Sequence, residues 1–254
     1  NKILYRLMVD LSGKKHKSLA GYKYFQLVVD DYSRKKFVDF LRLKSEGMEK
    51  FQALHTKLEK SKSPAKIAIV RTDGGGEYNS NEWLEWCTEM GIQHEFSAPY
   101  RQAQNGVAER SIGIVWHAAQ AMMFKANSPR YDWTFAVQYA VFLWNYVPTT
   151  ANDGLSPNEV FEGVRRSFRA EGTFGCLAYA KVYNHGKQSP TARRCIFLGH
   201  SEQYKAYIVR DLEKPRSKRV FFCRDVKFHN DKFLYQHALV PQPAPPPDSD
   251  TESD

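Results

Sequence analysis

The chain contains 254 residues, of which 42% are apolar, and it carries a net charge of +9 at neutral pH. No apolar run reaches the eighteen or so residues of a membrane-spanning helix and no secretory leader pattern is present, so we expect a globular protein with one large or two smaller domains and no membrane contact. The excess of Lys and Arg favours a polyanionic partner such as nucleic acid, although an ordinary basic protein fits equally well.

Three β-strands are predicted at the start of the chain, over residues 4–11, 24–31 and 36–43. The second is an almost continuous apolar run, which is typical of a central strand buried on both faces. The gap between the second and the third strand has the length of a hairpin loop. The three strands are therefore expected to form an antiparallel meander.

Helices and strands then alternate. Apolar residues recur with helical spacing over residues 45–62, and a strand over 66–72 follows. A helical crossover between two strands implies that they are parallel neighbours. A short helix over 79–91 precedes a fifth strand at 92–97. The buried stripe of this short helix is predicted to comprise Trp83, Trp86, Cys87 and Met90.

Two further helices complete the first half of the chain. A long helix is predicted to start near Asn105, and an apolar helix covers about 132–147, with Trp133 and Trp144 expected in the core. The buried side of the long helix is predicted to comprise Val107, Ile114, Ala118, Ala121 and Met122. The order βββ-α-β-α-β-α-α predicts an α/β fold with a mixed five-stranded sheet flanked by helices.

The pattern of apolar and turn-forming residues changes after about residue 170. Short strand-like runs separated by turns predict a small all-β module over residues 172–232, with a hairpin loop at 211–216. The preceding domain is predicted to cover residues 1–165. Residues 233–254 are rich in Pro and acids and are expected to be disordered. Because the first residue is Asn, the chain is expected to be part of a longer protein.

The four cysteines are widely spaced and show no zinc-binding pattern. We therefore expect buried, reduced thiols in an intracellular protein.

Three acids stand apart from the surface charges. Asp10 and Asp73 end the first and the fourth strand, and Glu109 lies in the first turns of the long helix. An acid beside buried strands is costly unless it is paired or binds a cation, and functional groups gather where strand ends meet helix starts. Each acid alone also has an ordinary explanation, as a turn cap or as a partner of the helix dipole. Thirty-five residues separate Asp73 from Glu109.

The sequence motifs around these acids are highly specific for one family when they occur together. Asp10 lies in "MVDLSG", Asp73 in "VRTDGGGEY" and Glu109 in "QNGVAER", and "FGCLAYAKV" occurs in the β module. With them the chain resembles the integrases of Ty1/copia-type retrotransposons, a branch of the retroviral integrase superfamily, over most of residues 5–230. The resemblance implies a ribonuclease-H-like core with a D, D-35-E triad on Asp10, Asp73 and Glu109, followed by an SH3-like module.

The resemblance also implies a function. A DDE-type polynucleotidyl transferase or endonuclease, released from a polyprotein, would attack a target phosphodiester with a 3′-hydroxyl of the element DNA. Two Mg²⁺ (or Mn²⁺) ions roughly 4 Å apart serve this chemistry, and hard carboxylate oxygens suit them. Asp10 would bridge both ions, and Asp73 and Glu109 would each complete one site. The implied partners are element and target DNA and further copies of the chain. The implied location is the nucleus, after assembly in a cytoplasmic virus-like particle, and not outside the cell.

Other polar residues are candidate DNA contacts or decoys. A polar, aromatic loop before the long helix is suited to a DNA end, or it is a plain solvated loop. The candidate DNA contacts are Tyr100, Arg101, Gln104, Asn105, Arg110, Arg193 and Arg194. Asp30 and Asp31 are expected at a turn, with Asp31 bonded to local backbone. Glu77 is expected to pair with Arg71 or to cap the helix over 79–91.

Some positions depart from the family pattern. Gly74 stands where the family usually has Asn, and Lys14 stands where it usually has Pro. The segment "SIGIVW" follows Glu109–Arg110, where the family usually has polar or basic residues. The zinc module that precedes the core in the family is not found in this sequence. These departures favour an alternative function, that of a catalytically decayed or domesticated nucleic-acid-binding protein. A nuclease acting on RNA–DNA hybrids is a third hypothesis on the same core.

Overall fold

The computed structural model describes residues 2–73, 78–96, 106–165, 172–182, 191–214 and 219–237. Within these residues the chain forms two five-stranded sheets, one mixed and one antiparallel. The first sheet has the strand order β3-β2-β1-β4-β5 and carries helices on both faces. Its elements are β1 (Arg6–Leu11), β2 (Tyr24–Asp30), β3 (Lys36–Leu41), α1 (Gly47–Ser61), β4 (Ile69–Thr72), α2 (Asn81–Glu89), β5 (Gln93–Phe96), α3 (Gly106–Ala126), α4 (Trp133–Tyr146) and α5 (Pro157–Glu162).

The predicted meander and crossover are confirmed. Strand β1 pairs antiparallel with β2 and β2 pairs antiparallel with β3, whereas β4 pairs parallel with β1. Asp10 faces Leu27 across the β1–β2 pair, and Val9 faces Thr72 across the β1–β4 pair. Because parallel strands end at the same edge of a sheet, Asp10 and the residue that follows Thr72 are brought to one edge.

Alternation along the strands divides the core into two clusters. On β2, Phe25, Leu27 and Val29 face α3 and α4, whereas Val28 belongs to the cluster beneath α1 and α2. Trp133 is 1% exposed in the first cluster, as predicted, while Trp144 is partly buried at its rim. The two faces are therefore both covered, which explains the continuous apolar character of β2.

The predicted buried side of α3 is only partly right, since Val107, Ala118 and Met122 are partly buried against the first cluster whereas two other predicted residues are not. Ile114 is 43% exposed and Ala121 is also exposed. The residues that face the sheet are instead small or β-branched: Ala108, Ser111, Val115, Ala119 and Ala126. Small side chains let the helix backbone lie close to β1 and β2, so residue size, not hydrophobicity alone, sets the buried face. The same correction applies to Met90, which is 47% exposed at the end of α2.

The second sheet is the predicted β module. Its strand order is β10-β6-β7-β8-β9, and all pairs are antiparallel. Its strands are β6 (Cys176–Lys181), β7 (Ala192–Ser201), β8 (Ala206–Asp211), β9 (Val220–Cys223) and β10 (Val226–Phe233). Strands β8 and β9 flank the predicted hairpin loop, of which residues 215–216 lie outside the described part of the chain.

The β module packs directly on α4 and on the end of α3. The ring of Tyr139 lies 5.2 Å from that of Phe197, and its hydroxyl donates to the carbonyl of Gly172 at 2.7 Å. Gly175 has φ +79°, and a Cβ there would lie 2.3 Å from the Cβ of Ala126. Only glycine fits this backbone conformation and this close contact. One hydrophobic cluster therefore runs from β2 through α4 into β6 and β7.

Several local predictions have clear outcomes. All four cysteines are buried and form no disulfide, as expected. Asp30, not Asp31, bonds the local backbone: its carboxylate accepts from the amides of Leu4 at 2.7 Å and Ser33 at 2.8 Å. Asp31 instead pairs with Arg34 at 2.7 Å and with Arg6 at 3.4 Å.

Among the residues that the structure describes, no helix has the length and apolar character needed to cross a bilayer.

Candidate active site

The candidate active site lies at the edge of the first sheet where β1 and β4 end. Asp10 is the fifth residue of β1, and Asp73 directly follows the last residue of β4. Since Val9 and Thr72 are in register, Asp10 and Asp73 occupy equivalent positions on neighbouring parallel strands. The hydrophobic alternation that fixes this register also fixes the adjacency of the two carboxylates.

Asp10 is the buried member of the site. It is 7% exposed, and its Oδ1 accepts a hydrogen bond from the amide of Leu11 at 2.7 Å. The pKa of Asp10 is raised to about 7, chiefly by burial and then by the negative charge of Asp73. Glu109 adds a smaller increase, while the Leu11 amide and Lys44 act in the opposite direction. The carboxylate is thus held in an environment that disfavours its own charge.

Glu109 approaches the pair from the helix above the sheet. It is exposed in the first turn of α3, which packs on β1 through Ala108 and Val115. The structure therefore brings the three predicted acids into one electrostatic environment, since the charges of both Asp73 and Glu109 act on Asp10. Within the described ranges, however, no three His, Cys, Asp or Glu side chains converge closely enough to enclose a metal ion.

A buried polar network lies near the sheet edge that carries Asp10 and Asp73. Residues 74–77 lie outside the described part of the chain, but Tyr78 beyond them is fully buried. Gln26 Nε2 donates to the Tyr78 hydroxyl at 2.5 Å and to the carbonyl of Gly47 at 2.9 Å. Gln26 also precedes Leu27, which faces Asp10 across β1–β2. Sequence reasoning missed this network, although a Gln inside the apolar run of β2 was a visible signal.

The strands beside the site carry a second polar group. Thr72 Oγ1 lies 2.9 Å from His94 Nε2 and also donates to the carbonyl of Asp73 at 2.9 Å. Burial lowers the pKa of His94. This contact joins β4 to β5 and anchors the backbone of Asp73 at the strand end.

The other predicted site residues are only partly described. Tyr100, Arg101, Gln104, Asn105, Gly74 and Glu77 lie outside the described residues. Arg110 is exposed beside Glu109 on α3, whereas Arg193 and Arg194 are exposed on β7, in the other sheet. Arg193 lies 3.6 Å from the carboxylate of Asp211. The proposed partner of Glu77, Arg71, contacts Glu95 at 2.6 Å.

Comparison with known proteins finds a family match in each of the two parts of the chain. Residues 8–102 match the family described as "Integrase core domain", and residues 176–241 match the "Retroviral polymerase SH3-like domain". The resemblance seen in the sequence is thereby confirmed, as is the fold class.

The chain is also similar to two plant polyproteins. It is 34% identical over 217 residues to the retrovirus-related Pol polyprotein from transposon TNT 1-94 of Nicotiana tabacum, covering 85% of this chain and 16% of the relative. It is 29% identical over 222 residues to the Pol polyprotein from transposon RE1 of Arabidopsis thaliana, covering 87% and 15%. The chain thus spans only a small part of the length of these relatives.

Among solved structures, the simian T-cell lymphotropic virus intasome in complex with PP2A regulatory subunit B56 gamma contains a similar fold. The TM-score is 0.52 at 17% sequence identity, and the alignment covers 89% of this chain and 79% of that chain. At this identity the match is evidence of the fold.

Proposed function

We propose that this chain catalyses metal-dependent DNA strand transfer. It joins an integrase core domain to a retroviral SH3-like domain. Its homologues are plant retrotransposon Pol polyproteins, which is consistent with a copia-type integrase. The comparisons support a role in DNA integration in general. The finer proposal is that this chain itself directs a 3′-hydroxyl of element DNA onto a phosphodiester of target DNA. With water in place of that hydroxyl, the same site would trim DNA ends.

The register between β1 and β4 carries this proposal. It places Asp10 beside Asp73 at one sheet edge, and α3 brings Glu109 over the same edge. These carboxylates supply hard oxygen ligands, which fit Mg²⁺ or Mn²⁺. Asp10 would bridge two cations, and Asp73 and Glu109 would each complete one coordination sphere. Cations bound there would activate the attacking oxygen and stabilise the leaving one.

Burial of Asp10 favours the binding of cations at this site. A carboxylate that is 7% exposed and close to two further acids is destabilised when it is ionised. A divalent cation offsets that charge, so cation binding and ionisation of Asp10 favour each other. In this proposal, the buried hydrogen bond between Gln26 and Tyr78 stabilises the core beside the acids that would hold the cations.

The proposed partners follow from the reaction and from the charge. Joining two DNA ends to one target requires at least two copies of the chain, and the net charge of +9 suits DNA. We propose that the chain acts in the nucleus after assembly in a cytoplasmic particle.

Strand transfer with short oligonucleotides tests the proposal. The purified chain is incubated with Mg²⁺ and labelled oligonucleotides that carry the ends of its element, and joined products are separated by size. Asp73→Asn should abolish joining, because the variant loses a cation ligand but keeps the side-chain shape. Asp31→Asn, which alters a surface acid paired with Arg34, should keep it. Unchanged joining by Asp73→Asn would refute the assignment.

A non-catalytic nucleic-acid-binding protein is the second candidate. Two observations favour it: no three metal-ligating side chains converge within the described residues, and Gly74 replaces the family's Asn. In that case DNA affinity would depend on salt but be indifferent to Mg²⁺ and to substitution of all three acids.

A further inference from the structure

The β module carries an exposed pair of aromatic rings, one on the turn between β7 and β8 and one on β9. The rings of Tyr204 and Phe222 lie 4.4 Å apart, and they are 50% and 48% exposed. They border a cleft of about 510 Å³, which is completed by Ala206, Cys223 and Arg224. We call these five residues the aromatic cleft. Large apolar side chains that are exposed side by side, and not singly, indicate a surface that binds something.

The sheet holds the aromatic cleft in a fixed shape. Phe222 faces Ile208 in the β8–β9 pair, and Ile208 is only 4% exposed. The amide of Tyr204 donates to Ser201 Oγ at 3.4 Å, at the point where β7 ends. Because both rings lie on ordered backbone, a segment that binds between them does not have to order the cleft first.

The sequence contains a segment whose chemistry matches the aromatic cleft. Residues 241–247 read "PQPAPPP", and residues 248–254 contain four acids and no Lys or Arg. These residues lie outside the described part of the chain. Proline-rich stretches favour the polyproline II conformation and dock on grooves lined by aromatic rings. Proline has no amide donor, so such a stretch is suited to contacts with rings and not to joining a sheet.

The charges of the β module and of this segment are opposite. Residues 172–237 contain thirteen Lys and Arg but only five Asp and Glu. Arg224 is exposed at the aromatic cleft, and Lys205 is exposed in the same turn as Tyr204. Acids that follow directly after the prolines would therefore meet cations beside the rings, an attraction that salt weakens.

The segment also starts close enough to reach the aromatic cleft. The described part of the chain ends in a short 3₁₀ helix (Leu234–His237), where the carbonyl of Tyr235 accepts from Asn127 Nδ2 at 3.4 Å. Strand β9 lies four strands from β10 in the sheet, which is roughly 20 Å at about 4.8 Å per strand. The nine steps from His237 to Pro246 span roughly 28 Å in polyproline II. Such a short tether gives an effective concentration on the order of millimolar, so a weak contact is sufficient.

We propose that the aromatic cleft binds the chain's own Pro-rich segment, residues 241–247, and that Arg224 and Lys205 bind the acids that follow it. Pro243 and Pro246 are three residues apart, so they share one face of a polyproline II helix and can contact both rings. Docking places four negative charges on the basic module, where the segment competes with any other polyanion. This inference does not depend on the proposed reaction.

Paramagnetic broadening in the full chain tests the docking. A nitroxide is attached through Ser249→Cys, and the amide signals of the isotope-labelled protein are compared before and after the nitroxide is reduced. The four natural cysteines are buried, and the parent treated with the same reagent shows whether any of them reacts. The amides of Tyr204, Phe222 and Arg224 should lose most of their intensity, whereas those of α2 in the first domain should keep theirs.

Substitutions then identify the groups that make the contact. Tyr204→Ala and Phe222→Ser should each restore most of the lost intensity, and because both rings are half exposed, the remaining amide spectrum should stay that of the parent. The matched control is Tyr179→Ala, which removes a 36% exposed ring from β6 of the same module and should leave the broadening unchanged. Replacing Pro243 and Pro246 by Ser keeps every charge and should release the segment.

Four results overturn the inference. The first is an absence of broadening at the aromatic cleft in the parent, and the second is equal broadening in the ring variants and in Tyr179→Ala. The third is undiminished broadening in the proline variant, since the contact would then be ionic only. The fourth comes from mixing nitroxide-bearing chains without isotope label and isotope-labelled chains without nitroxide: broadening at the cleft in this sample would mean that it binds the segment of a second copy.

Discussion

Arg210 of β8 and Asp132 at the start of α4 form a buried ion pair between the two sheets. Arg210 Nη1 donates to Asp132 Oδ2 at 2.7 Å, and the hydroxyl of Tyr235 donates to the same oxygen at 3.0 Å. Both charged side chains are almost fully buried. The β module is therefore joined to the first sheet and its helices by a desolvated, hydrogen-bonded contact as well as by the shared hydrophobic cluster.

Arg210→Met should destabilise the whole chain by about 3–5 kcal/mol, because it leaves Asp132 buried without its cation. Urea unfolding followed by fluorescence and by circular dichroism should give one coincident transition for both halves. Lys66→Met is the control: it breaks an exposed pair with Glu59 and should cost about 1 kcal/mol or less. Adding Asp132→Leu to Arg210→Met should restore most of the loss, and a double variant as unstable as the single one would contradict this account.

Asp10→Asn should stabilise the metal-free chain at neutral pH while abolishing strand transfer. The folded-state pKa of about 7 lies above the ordinary value of 3.8, so the folded chain binds more protons between these values. The contribution of Asp10 to stability is thus present below pH 4 and is lost as the pH rises to about 7. At pH 8 the advantage of the variant should approach, at most, about 4 kcal/mol.

The measurement is urea unfolding of parent and variant in EDTA at several pH values between 4 and 8. Asp225→Asn, in which the replaced side chain is 56% exposed, serves as the control and should show no such trend. A constant difference between Asp10→Asn and the parent across this range would show that burial of Asp10 does not carry the effect.

Mg²⁺ should raise the melting temperature of the parent at pH 7.5 in a concentration-dependent way, since a ligand that binds only the folded state stabilises it by mass action. Asp10→Asn should show a much smaller rise, because it lacks the proposed bridging ligand. Thermal unfolding is recorded against NaCl at equal ionic strength. Equal Mg²⁺ responses in parent and variant would place cation binding elsewhere.

Two glycine substitutions should have opposite effects. Gly113→Ala should stabilise α3 by about 1 kcal/mol, because alanine favours the helix and the new Cβ meets nothing within 4 Å. Gly175→Ala should destabilise, because the new Cβ would lie 2.3 Å from the Cβ of Ala126 at a backbone φ of +79°. Thermal unfolding of the two variants side by side tests both signs, and two shifts in the same direction would contradict the packing described here.

The first sheet was predictable because its signals are local. Strand periodicity and the helical crossover predict the meander, the parallel β1–β4 pair and hence the adjacency of Asp10 and Asp73. The buried face of α3 was not predictable from hydrophobicity, since Ala108 and Ala119 face the sheet while Ile114 faces outward. Close backbone approach, which favours small residues, overrode the apolar pattern.

The ion pair between Asp132 and Arg210, which joins the two halves of the chain, could not be predicted from the sequence for a different reason. Asp132 and Arg210 are 78 positions apart, and neither has a neighbour that predicts its partner. Similarly, the pairing of Gln26 with Tyr78 spans 52 positions. Such contacts depend on how elements pack in three dimensions, which single-sequence patterns do not specify.

Helix α3 also connects the candidate active site to the β module. Its first turn carries Glu109 and its last residue, Ala126, lies against Gly175 of the β module. A continuous helix of 21 residues is about 30 Å long and resists bending. A displacement of the β module at Gly175 would therefore be transmitted along α3 to Glu109, the acid that acts on Asp10 from the other end of the helix.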